Sequence, residues 1–471
     1  MSEKVSWGVI GMGVMGTNLS RNFANQGISL ALYNRFIKGS EEQIALKKTQ
    51  KYPELNSALP FEALDFFVAA LESPRKILIM LPSGIIVDQI INELKPLLSV
   101  KDIIMDGGNS HYKETEKRAI SLDNMGIKFL GIGVSGGETG ALSGPSLMVG
   151  GDLEAYKIIA EDLGKIAAKD SEGQSCCEFL GTGGAGHYVK MVHNGIEYAE
   201  MQLIAEIFEI CNANAEVDFR SIEDLFKNWQ NSSSESYLLG ISAEILSYKE
   251  SGVPYINLIL DQASNKGTGA WATSSGALVG SPNSLMAAAL HARFTSSNRS
   301  SRKKNSQEYK ILDSSHDYPL PNLKKTYDLC RWINHHQGFE MIRQAGDLYG
   351  WNLNHVKVAQ IWSEGCIIKS KLMDQLKLLF EDTSSIMEMN AFKILFSKGQ
   401  KEWKGVLKYS IEKGIPIPCI SSAWSYILAI IQPRSSASLI QAQRDFFGAH
   451  GFERIVQRKD GKSHGPWGKK D

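Results

Sequence analysis

The sequence predicts an α/β domain with a doubly wound sheet, followed by a large all-α domain and a C-terminal tail. Strand-like apolar runs alternate with helical patterns over roughly the first third of the chain, which is typical of a mostly parallel sheet. After a glycine-rich stretch at residues 181–186, apolar residues recur with helical periodicity. We therefore expect domains at residues 1–180 and 181–434 and a tail at residues 435–471, whose end, GKSHGPWGKKD, cannot form a core by itself.

The strand-like segments of the first domain lead into loops rich in glycine and polar residues. These segments are VSWGVIG, SLALYNR, KILIML, DIIMDGG and IKFLGIGV. In doubly wound sheets, ligands bind beyond the carboxyl ends of the strands. We therefore expect the loops at residues 81–84, 106–110 and 135–138 to line a ligand site.

A GxGxxG pattern follows the first segment and precedes a helical pattern, as a Rossmann-like dinucleotide site requires. Gly11 permits the turn, Gly13 lets the backbone approach a pyrophosphate, and Gly16 allows close packing of helix on strand. The helix N-terminus adds N–H donors and a positive dipole end. The alternative is a glycine-rich turn without a ligand. The predicted cofactor site comprises Gly11, Met12, Gly13, Val14, Met15, Gly16, Leu81, Pro82, Ser83 and Asn109.

The end of the second segment indicates which dinucleotide is bound. A site for NAD usually has an acidic residue there, which binds the ribose 2′-hydroxyl. Here the residues are Asn34, Arg35 and Phe36, so a carboxylate is missing and an arginine is present. A guanidinium group matches a 2′-phosphate, and NADP is therefore the predicted cofactor. The alternative is an exposed loop arginine.

The composition of the 471 residues is that of a globular protein, with 43% hydrophobic and 22% charged residues. The formal net charge is zero, so the overall charge favours neither nucleic acid nor a membrane surface as a partner. A basic stretch at residues 296–307 has no interleaved aromatics and is expected to be a solvated loop. The six cysteines form no CxxC motif or metal-ligand spacing, so no metal is predicted. We expect a cytoplasmic location without a signal peptide or a membrane span.

One predicted helix carries a polar stripe beside an apolar flank. In HYVKMVHNGIEYAEMQL, Lys190, His193, Asn194 and Glu197 recur at i, i+3, i+4 and i+7, which places them on one helix face. Such a stripe costs free energy in an apolar setting unless other groups pair with it. The alternative is a solvated face on which the charges are spaced by chance.

The stretch GVSGG, residues 133–137, matches the GxSxG pattern of serine hydrolases. That motif requires a strand, a sharp turn and then a helix, whereas a glycine-rich loop is expected to follow here. We could not assign a histidine and an acid to complete a hydrolase site. We therefore favour a role for Ser135, Gly136 and Gly137 in holding substrate oxygens.

The chain resembles the 6-phosphogluconate dehydrogenases, the decarboxylating enzymes of the pentose phosphate pathway, over nearly its whole length. The resemblance is carried by IGMGVMGTNL, YNR, DGGNS, GVSGGETGALSGPSLMVGG, GAGHYVKMVHNGIEY, NKGTGAW and QAQRDFFGAH. It implies oxidative decarboxylation of 6-phospho-D-gluconate to D-ribulose 5-phosphate and CO2, with reduction of NADP. It also implies that Lys190 is the general base and Glu197 the general acid.

The resemblance further implies a set of substrate-binding residues and a homodimer. Arg444 and His450 match residues that the partner subunit's tail supplies in this family. Burial beside cationic groups would lower the pKa of Lys190, as a general base requires. The implied substrate site comprises Asn109, Ser135, Gly136, Gly137, His193, Asn194, Tyr198, Lys266, Thr268, Arg293, Arg444 and His450.

The chain also departs from the family pattern. Pro82 and Ala270 stand where lysine is usual, and Phe36 stands where threonine or serine often follows the Asn-Arg pair. These changes touch cofactor binding and the periphery of the site. Two alternatives stay open. One is a dehydrogenase of a simpler 3-hydroxy acid, which would leave Arg293, Arg444 and His450, a cationic set suited to a phosphate, unexplained. The other is a non-catalytic sensor of NADPH or sugar phosphate.

Overall fold

The computed structural model describes residues 4–264, 267–311, 320–455 and 462–467. Its first part is built on one sheet of eight short strands. The strands are β1 Trp7–Ile10, β2 Leu30–Tyr33, β3 Leu59–Phe61, β4 Lys76–Ile79, β5 Ile103–Asp106, β6 Lys128–Val134, β7 Leu147–Gly151 and β8 Cys177–Gly181.

The strand order in the sheet is β3-β2-β1-β4-β5-β6-β7-β8. All neighbouring strands are parallel except β6 and β7, which pair antiparallel. The order reverses between β1 and β4, as in a doubly wound fold, so the carboxyl ends of these strands form a crevice. The predicted fold class of the first domain is therefore correct.

Helices cover both faces of the sheet and bury its apolar side chains in two clusters. Strands buried on both faces read as continuous apolar runs, which explains the pattern in the sequence. The covering helices are α1 Val14–Asn25, α2 Ile44–Lys51, α3 Leu64–Ala69, α4 Ile85–Leu94, α5 Tyr112–Asp123, α6 Gly137–Ser143 and α7 Leu153–Ile166.

The second part is helical, as predicted, apart from a small hairpin of β9 Lys249–Glu250 and β10 Val253–Pro254. The long helices α8 and α14 lie at its centre and pack on each other. The helices are α8 Ala185–Asn212, α9 Phe219–Gln230, α10 Tyr237–Ser247, α11 Thr268–Val279, α12 Ser284–Ser297, α13 Arg299–Glu308, α14 Lys324–Tyr349, α15 His355–Ser363, α16 Lys371–Leu379, α17 Asn390–Glu412, α18 Pro418–Ile431 and α19 Ala437–Gly448.

Helix α13 corrects one expectation. The basic stretch at residues 296–307 is not a loop, because most of it is helical. Its residues are solvated, since none of them is buried. Within the described ranges, no helix combines the length and apolar character needed to cross a lipid bilayer.

Close packing of α8 on the sheet depends on glycine. A Cβ atom added to Gly186 would lie 2.4 Å from the carbonyl oxygen of Met148, and one added to Gly133 would lie 2.4 Å from the Cβ of Lys190. Both distances are far below van der Waals contact, so a larger residue at either position would push helix and sheet apart. The glycines thus let α8 carry Lys190 to the end of β6.

Candidate active site

The polar stripe of α8 faces the carboxyl end of β6. Lys190 and His193 are buried, and Ser135 directly follows the strand. The Nζ atom of Lys190 lies 2.9 Å from the Oγ of Ser135 and 3.3 Å from the Nδ1 of His193. The Nε2 of His193 lies 3.1 Å from the same Oγ. The three groups therefore form a closed polar triangle, which satisfies the buried side chains of Lys190 and His193.

The protonation state of Lys190 decides which ring nitrogen of His193 carries a proton. When Lys190 is protonated it can only donate, so the Nδ1 of His193 then accepts and the ring proton lies on Nε2, which donates to Ser135. Burial, reinforced by the nearby Lys190, holds the pKa of His193 well below its usual range. A neutral imidazole in this tautomer leaves the hydroxyl proton of Ser135 available for a substrate oxygen.

Burial also changes the pKa values of Lys190 and Glu197, in opposite directions. It lowers the pKa of the Lys190 amine, while Glu197 acts against this shift. It raises the pKa of the Glu197 carboxyl, while Lys190 and Arg293 act against it. Both groups are thus moved towards their neutral forms. The expected contribution of cationic neighbours to the shift of Lys190 is wrong, because desolvation is its cause.

The expectation of a loop after GVSGG is also wrong. Helix α6 begins at Gly137, so a strand, a turn and a helix follow one another, and Ser135 contacts a histidine. The arrangement nevertheless differs from a hydrolase triad. The Nδ1 of His193 faces Lys190 at 3.3 Å, whereas the nearest carboxylate oxygen, on Glu197, is 3.7 Å away and beyond hydrogen-bond distance. Lysine, rather than an acid, orients this ring.

Gly136 and Gly137 form the turn between β6 and α6. Their φ angles are +109° and +63°, which residues with a Cβ atom rarely adopt. A Cβ on Gly136 would also lie 2.6 Å from the carbonyl oxygen of Gly365. The turn therefore requires glycine, and it keeps Ser135 pointing at α8.

A cleft of about 810 Å³ lies between the carboxyl ends of the strands and the helix α8. It brings many residues of the predicted cofactor and substrate sites together. Its lining also includes Gly107 and Gly108, from the predicted loop at residues 106–110. The sequence did not single out its remaining lining residues, Met80, Val134, Met201 and Ser264. The predicted site residues that line it are Gly13, Val14, Met15, Gly16, Leu81, Pro82, Ser83, Asn109, Asn194, Glu197, Tyr198, Thr268 and Arg293.

The glycine turn at one end of the cleft has the geometry that a dinucleotide needs. Gly11 has a φ of +97°, and a Cβ on Gly16 would lie 1.9 Å from the carbonyl oxygen of Gly11, so helix and strand pack closely. A Cβ on Gly13 would meet nothing within 4 Å, which leaves open space beside the backbone. Helix α1 begins next to Gly13 and points its N-terminal N–H groups towards this space. The residues therefore fit a pyrophosphate.

Arg293, on α12, brings a positive charge to the cleft. Its guanidinium carbon lies 3.6 Å from the ring centroid of Tyr198, and its Nη1 donates to the carbonyl oxygen of Ser264 at 3.1 Å. Stacking on the aromatic ring holds the side chain in place. Thr268 begins α11 and is buried beside this region. Together they form a cationic end suited to an anionic group.

Asn34, Arg35 and Phe36 do not line the cleft. Asn34 accepts the backbone N–H of Met12 at 3.1 Å, which ties β2 to the glycine turn. The guanidinium of Arg35 is paired with Glu41 at 3.1 Å, and the side chain of Phe36 is exposed. Sequence reasoning missed Glu41, because a polar loop gives no pattern that pairs these two residues.

Six of the described residues predicted for the substrate site do not line the cleft, and neither does Lys190. Four of the six, Ser135, Gly136, Gly137 and His193, belong to the buried triangle and to the turn beside it. Lys266 lies outside the described residues. Arg444, on α19, and His450, in the following turn, are exposed and do not line the cleft of their own chain. Among the residues described, no group of three or more histidine, cysteine or acidic side chains could hold a metal ion.

The tail packs on itself more than its composition predicts. We expected residues 456–471 to be too polar for this, but Asp445 accepts hydrogen bonds from four donors at or beyond residue 451. One donor is the indole of Trp467, which is 41% exposed. A buried carboxylate, not an apolar core, therefore organises the described part of the tail.

Comparison with known proteins accounts for both parts of the chain. The NAD binding domain of 6-phosphogluconate dehydrogenase matches residues 6–181, and the C-terminal domain of that enzyme matches residues 186–467. A decarboxylating 6-phosphogluconate dehydrogenase from Haemophilus influenzae is 38% identical over 99% of this chain and 97% of its own length. The enzyme of that name from Escherichia coli K12 is also 38% identical, with 99% of each chain covered.

The fold is similar to a solved structure as well. The 6-phosphogluconate dehydrogenase of Plasmodium falciparum, studied in its apo form and in complexes with NADP+ and 6-phosphogluconate, matches with a TM-score of 0.91. That match covers 98% of this chain and 100% of the other, at 30% identity. The family resemblance inferred from the motifs is confirmed: the chain belongs to the 6-phosphogluconate dehydrogenases.

Proposed function

We propose that this chain oxidatively decarboxylates 6-phospho-D-gluconate to D-ribulose 5-phosphate and CO2, with reduction of NADP to NADPH. The observation that carries the proposal is the buried triangle of Lys190, Ser135 and His193, with Glu197 two turns further along α8. Burial moves the Lys190 amine and the Glu197 carboxyl towards their neutral forms, so one helix face offers a base and an acid. The family's named activity needs such a pair.

The cofactor would lie along the glycine turn and the two following loops of the cleft. Gly13 and the N-terminus of α1 would hold the pyrophosphate, and Arg35 would turn from Glu41 to the 2′-phosphate. When bound, NADP accepts a hydride from C3 of the substrate. The proposed contacts are Gly11, Met12, Gly13, Val14, Met15, Gly16, Asn34, Arg35, Phe36, Leu81, Pro82, Ser83 and Asn109.

Lys190 would remove the proton of the substrate's 3-hydroxyl group as that carbon is oxidised. Its lowered pKa makes the neutral amine accessible, and Ser135 and His193 hold the Nζ atom in place. The protonated amine can then donate to the new 3-keto oxygen. This stabilises the negative charge that develops there when the C1–C2 bond breaks and CO2 leaves.

Glu197 would complete the reaction by protonating the enediol at the carbon that becomes C1 of the product. Its raised pKa keeps the carboxyl group protonated above the usual range for glutamate. Seven residues separate it from Lys190, or about 10 Å along the helix axis at 1.5 Å per residue. The two groups can thus address different carbons of one extended substrate.

The remaining substrate contacts fall into two groups. Residues near Lys190 would bind the hydroxyl and carboxylate oxygens. Arg293 with Tyr198 would receive the phosphate end, together with Arg444 and His450 of the partner subunit. The proposed substrate-binding residues are Asn109, Ser135, Gly136, Gly137, His193, Asn194, Tyr198, Lys266, Thr268, Arg293, Arg444 and His450.

We also propose a homodimer in which each tail completes the partner's substrate site. Helix α19 exposes large apolar side chains, and the only buried residue in it is Asp445. Exposure of several large apolar side chains on one helix is unfavourable in water, and a second copy of the chain would cover them. The exposed side chains are Leu439, Ile440, Phe446 and Phe447.

Two further points belong to the same proposal. We assign residues 1–180 to the NADP-binding domain, residues 181–434 to the substrate and dimerisation domain, and residues 435–471 to the shared tail. We also propose a cytoplasmic location, since all six cysteines are free, buried thiols of the kind that a reducing compartment maintains.

The direct test is an assay of the purified protein with 6-phosphogluconate and NADP, then NAD, following NADPH absorbance and CO2 release. Equal amounts of NADPH and CO2 would agree with oxidative decarboxylation. NADPH without CO2 would indicate a dehydrogenase of another hydroxy acid. Binding of NADP and sugar phosphate without turnover would indicate the non-catalytic sensor.

A further inference from the structure

Asp445 is an unusual residue in the tail. Helix α19 is otherwise solvated in the single chain, yet Asp445 is only 4% exposed. A buried carboxylate is costly unless donors surround it. Its donors do not come from the helical domain but from the segment that follows α19 in sequence.

The four donors bind the two carboxylate oxygens in pairs. One oxygen accepts the backbone N–H of Gly451 at 2.9 Å and the Nδ1 of His464 at 2.7 Å. The other accepts the backbone N–H of Gly465 at 2.8 Å and the Nε1 of Trp467 at 2.6 Å. The Gly465 N–H, together with the other donors, holds the pKa of Asp445 well below its usual range. The group is therefore a carboxylate at any physiological pH.

This network encloses the two tail residues that are expected to meet the substrate. Arg444 precedes Asp445 on the helix. His450 lies in the following turn between Ala449 and Gly451, whose φ angles are both positive. The turn is fixed on one side by the bond from Gly451 to Asp445. On the other side, Gln441 donates to the carbonyl oxygen of Gly451 at 2.5 Å and accepts from Arg444 at 3.2 Å.

We propose that Asp445 is a positioning residue. Its hydrogen bonds hold the described residues of the tail together and so fix Arg444 and His450 in the positions from which they would bind the partner's substrate. The proposal rests on the proposed function, in which those two residues bind the phosphate end. Asp445 does not touch the substrate itself. Its carboxylate connects positions up to 22 residues apart, which a polar segment without an apolar core could not otherwise hold together.

The experiment compares three variants of the full-length dimer. Asp445→Asn keeps the shape but places an NH2 group against N–H donors, so at least one pair of hydrogen bonds is lost. Trp467→Phe removes a single donor and keeps an aromatic ring at that position. Glu453→Gln, on an exposed residue of the same tail, removes the same charge as a matched control.

The informative measurement is the change in KM for 6-phosphogluconate compared with the change in KM for NADP. We expect Asp445→Asn to raise KM for 6-phosphogluconate about tenfold or more, since the charge-assisted contacts of the phosphate are misplaced. Trp467→Phe should give a smaller rise, of about threefold. KM for NADP should stay within about twofold in both variants, and the control should be normal, because α19 does not line the cofactor end of the cleft.

Two further measurements distinguish positioning by Asp445 from general destabilisation of the protein. Adding Asp445→Asn to Arg444→Ala should raise KM by less than the product of the single effects, because one residue acts through the other. Equal rises in KM for 6-phosphogluconate and KM for NADP would indicate general destabilisation and overturn the proposal. Multiplicative effects of Asp445→Asn and Arg444→Ala would also overturn it, because the two residues would then act independently. If Asp445→Asn does not assemble, Trp467→Phe decides: an unchanged KM for 6-phosphogluconate would then refute positioning.

The Arg444→Ala variant separates this proposal from the one on which it rests. If Arg444→Ala leaves KM for 6-phosphogluconate unchanged, the tail does not serve the substrate and the proposed function of the tail is wrong. If Arg444→Ala raises KM while Asp445→Asn and Trp467→Phe do not, the tail serves the substrate but Asp445 does not position it.

Discussion

Helices α8 and α19 carry the polar residues that we assign to the substrate, yet their surroundings are opposite. On α8 the stripe is enclosed by its own chain, and Lys190 and His193 are 6% and 0% exposed. On α19 Phe446 and Phe447 are 67% and 74% exposed, and Arg444 faces solvent. One region is enclosed by its own chain, and the other leaves its apolar side chains uncovered by the residues that the structure describes.

This difference in burial separates the residues that would transfer protons from those that would only bind the substrate. Burial shifts pKa values, so the enclosed region contains the groups whose protons must move near neutral pH. An exposed arginine keeps its charge whatever the surroundings, so it can serve binding from a mobile or shared position. Changes on α8 should therefore alter turnover in each chain, and changes on α19 should alter substrate affinity across the dimer.

The largest expected effect comes from Lys190→Ala. Loss of the general base should reduce kcat by about 10²- to 10⁴-fold, the usual contribution of a positioned acid or base. Lys157→Ala, an exposed lysine of α7, is the matched control and should keep normal activity. Turnover within about tenfold of normal for Lys190→Ala, measured by NADPH formation, would contradict the general-base role.

Glu197→Gln should change both the rate and its pH dependence. Lys190 must be neutral to accept a proton, so the rate should fall as pH drops through its lowered pKa. Glu197 must be protonated to donate, so the rate should fall again as pH rises through its raised pKa. These limbs describe the interacting pair. Glu197→Gln should lower kcat by about 10²-fold and abolish the alkaline limb. A variant that kept this limb would disprove the assignment of the acid.

Mixing two variants that are each nearly inactive at a low concentration of 6-phosphogluconate tests the proposed difference between the helices directly. In a mixed dimer of Lys190→Ala and Arg444→Ala, one shared site has both residues intact and the other has neither. Activity should then return to about a quarter of the wild-type value for random mixing of equal amounts, because half of the dimers are mixed and half of their sites work. No recovery, with exchange confirmed by native mass spectrometry, would mean that Arg444 does not serve the partner.

The sequence predicted those parts of the fold that leave a periodic or glycine pattern. The alternating apolar runs indicated the sheet, and the 3.6-residue period indicated α8. Helices α6 and α13 were missed for physical reasons. GETGALS contains two glycines, whose helix propensity is low, and RSSRKKNSQE has no apolar stripe from which a period could be read.

Contacts between distant residues were harder to predict than the residue types. The stripe on α8 was visible in the sequence, but its partner Ser135 is 55 positions from Lys190 and is brought near only by the fold. Desolvation is a property of the folded surroundings. Burial was expected to lower the pKa of Lys190 and does, but the added contribution expected from cationic neighbours was wrong. The hydrogen bonds of Asp445 likewise join residues without any sequence periodicity.

The loop after β2 is a third region to compare with α8 and α19. Here the cofactor, rather than a second chain, would contact the exposed side chain. The side chain of Arg35 is 60% exposed, and its present partner is Glu41. Arg35→Asp should weaken NADP by about 1.5–3 kcal/mol, or roughly ten- to a hundredfold, through loss of a charge-assisted contact with the 2′-phosphate. NAD should not be weakened comparably. Equal losses for both cofactors, measured by equilibrium binding, would remove Arg35 from the specificity site.

The smallest expected effect is that of Glu41→Gln. Because Glu41 holds the guanidinium of Arg35 in the free protein, a 2′-phosphate must displace it before binding. The hydrogen bond and charge of Glu41 raise the pKa of Arg35, which remains cationic with or without this partner. An exposed ion pair contributes about 0–1 kcal/mol, so Glu41→Gln should tighten NADP by no more than about fivefold and leave NAD unchanged. Weaker binding of NADP in this variant would instead show that Glu41 orients Arg35 for the phosphate.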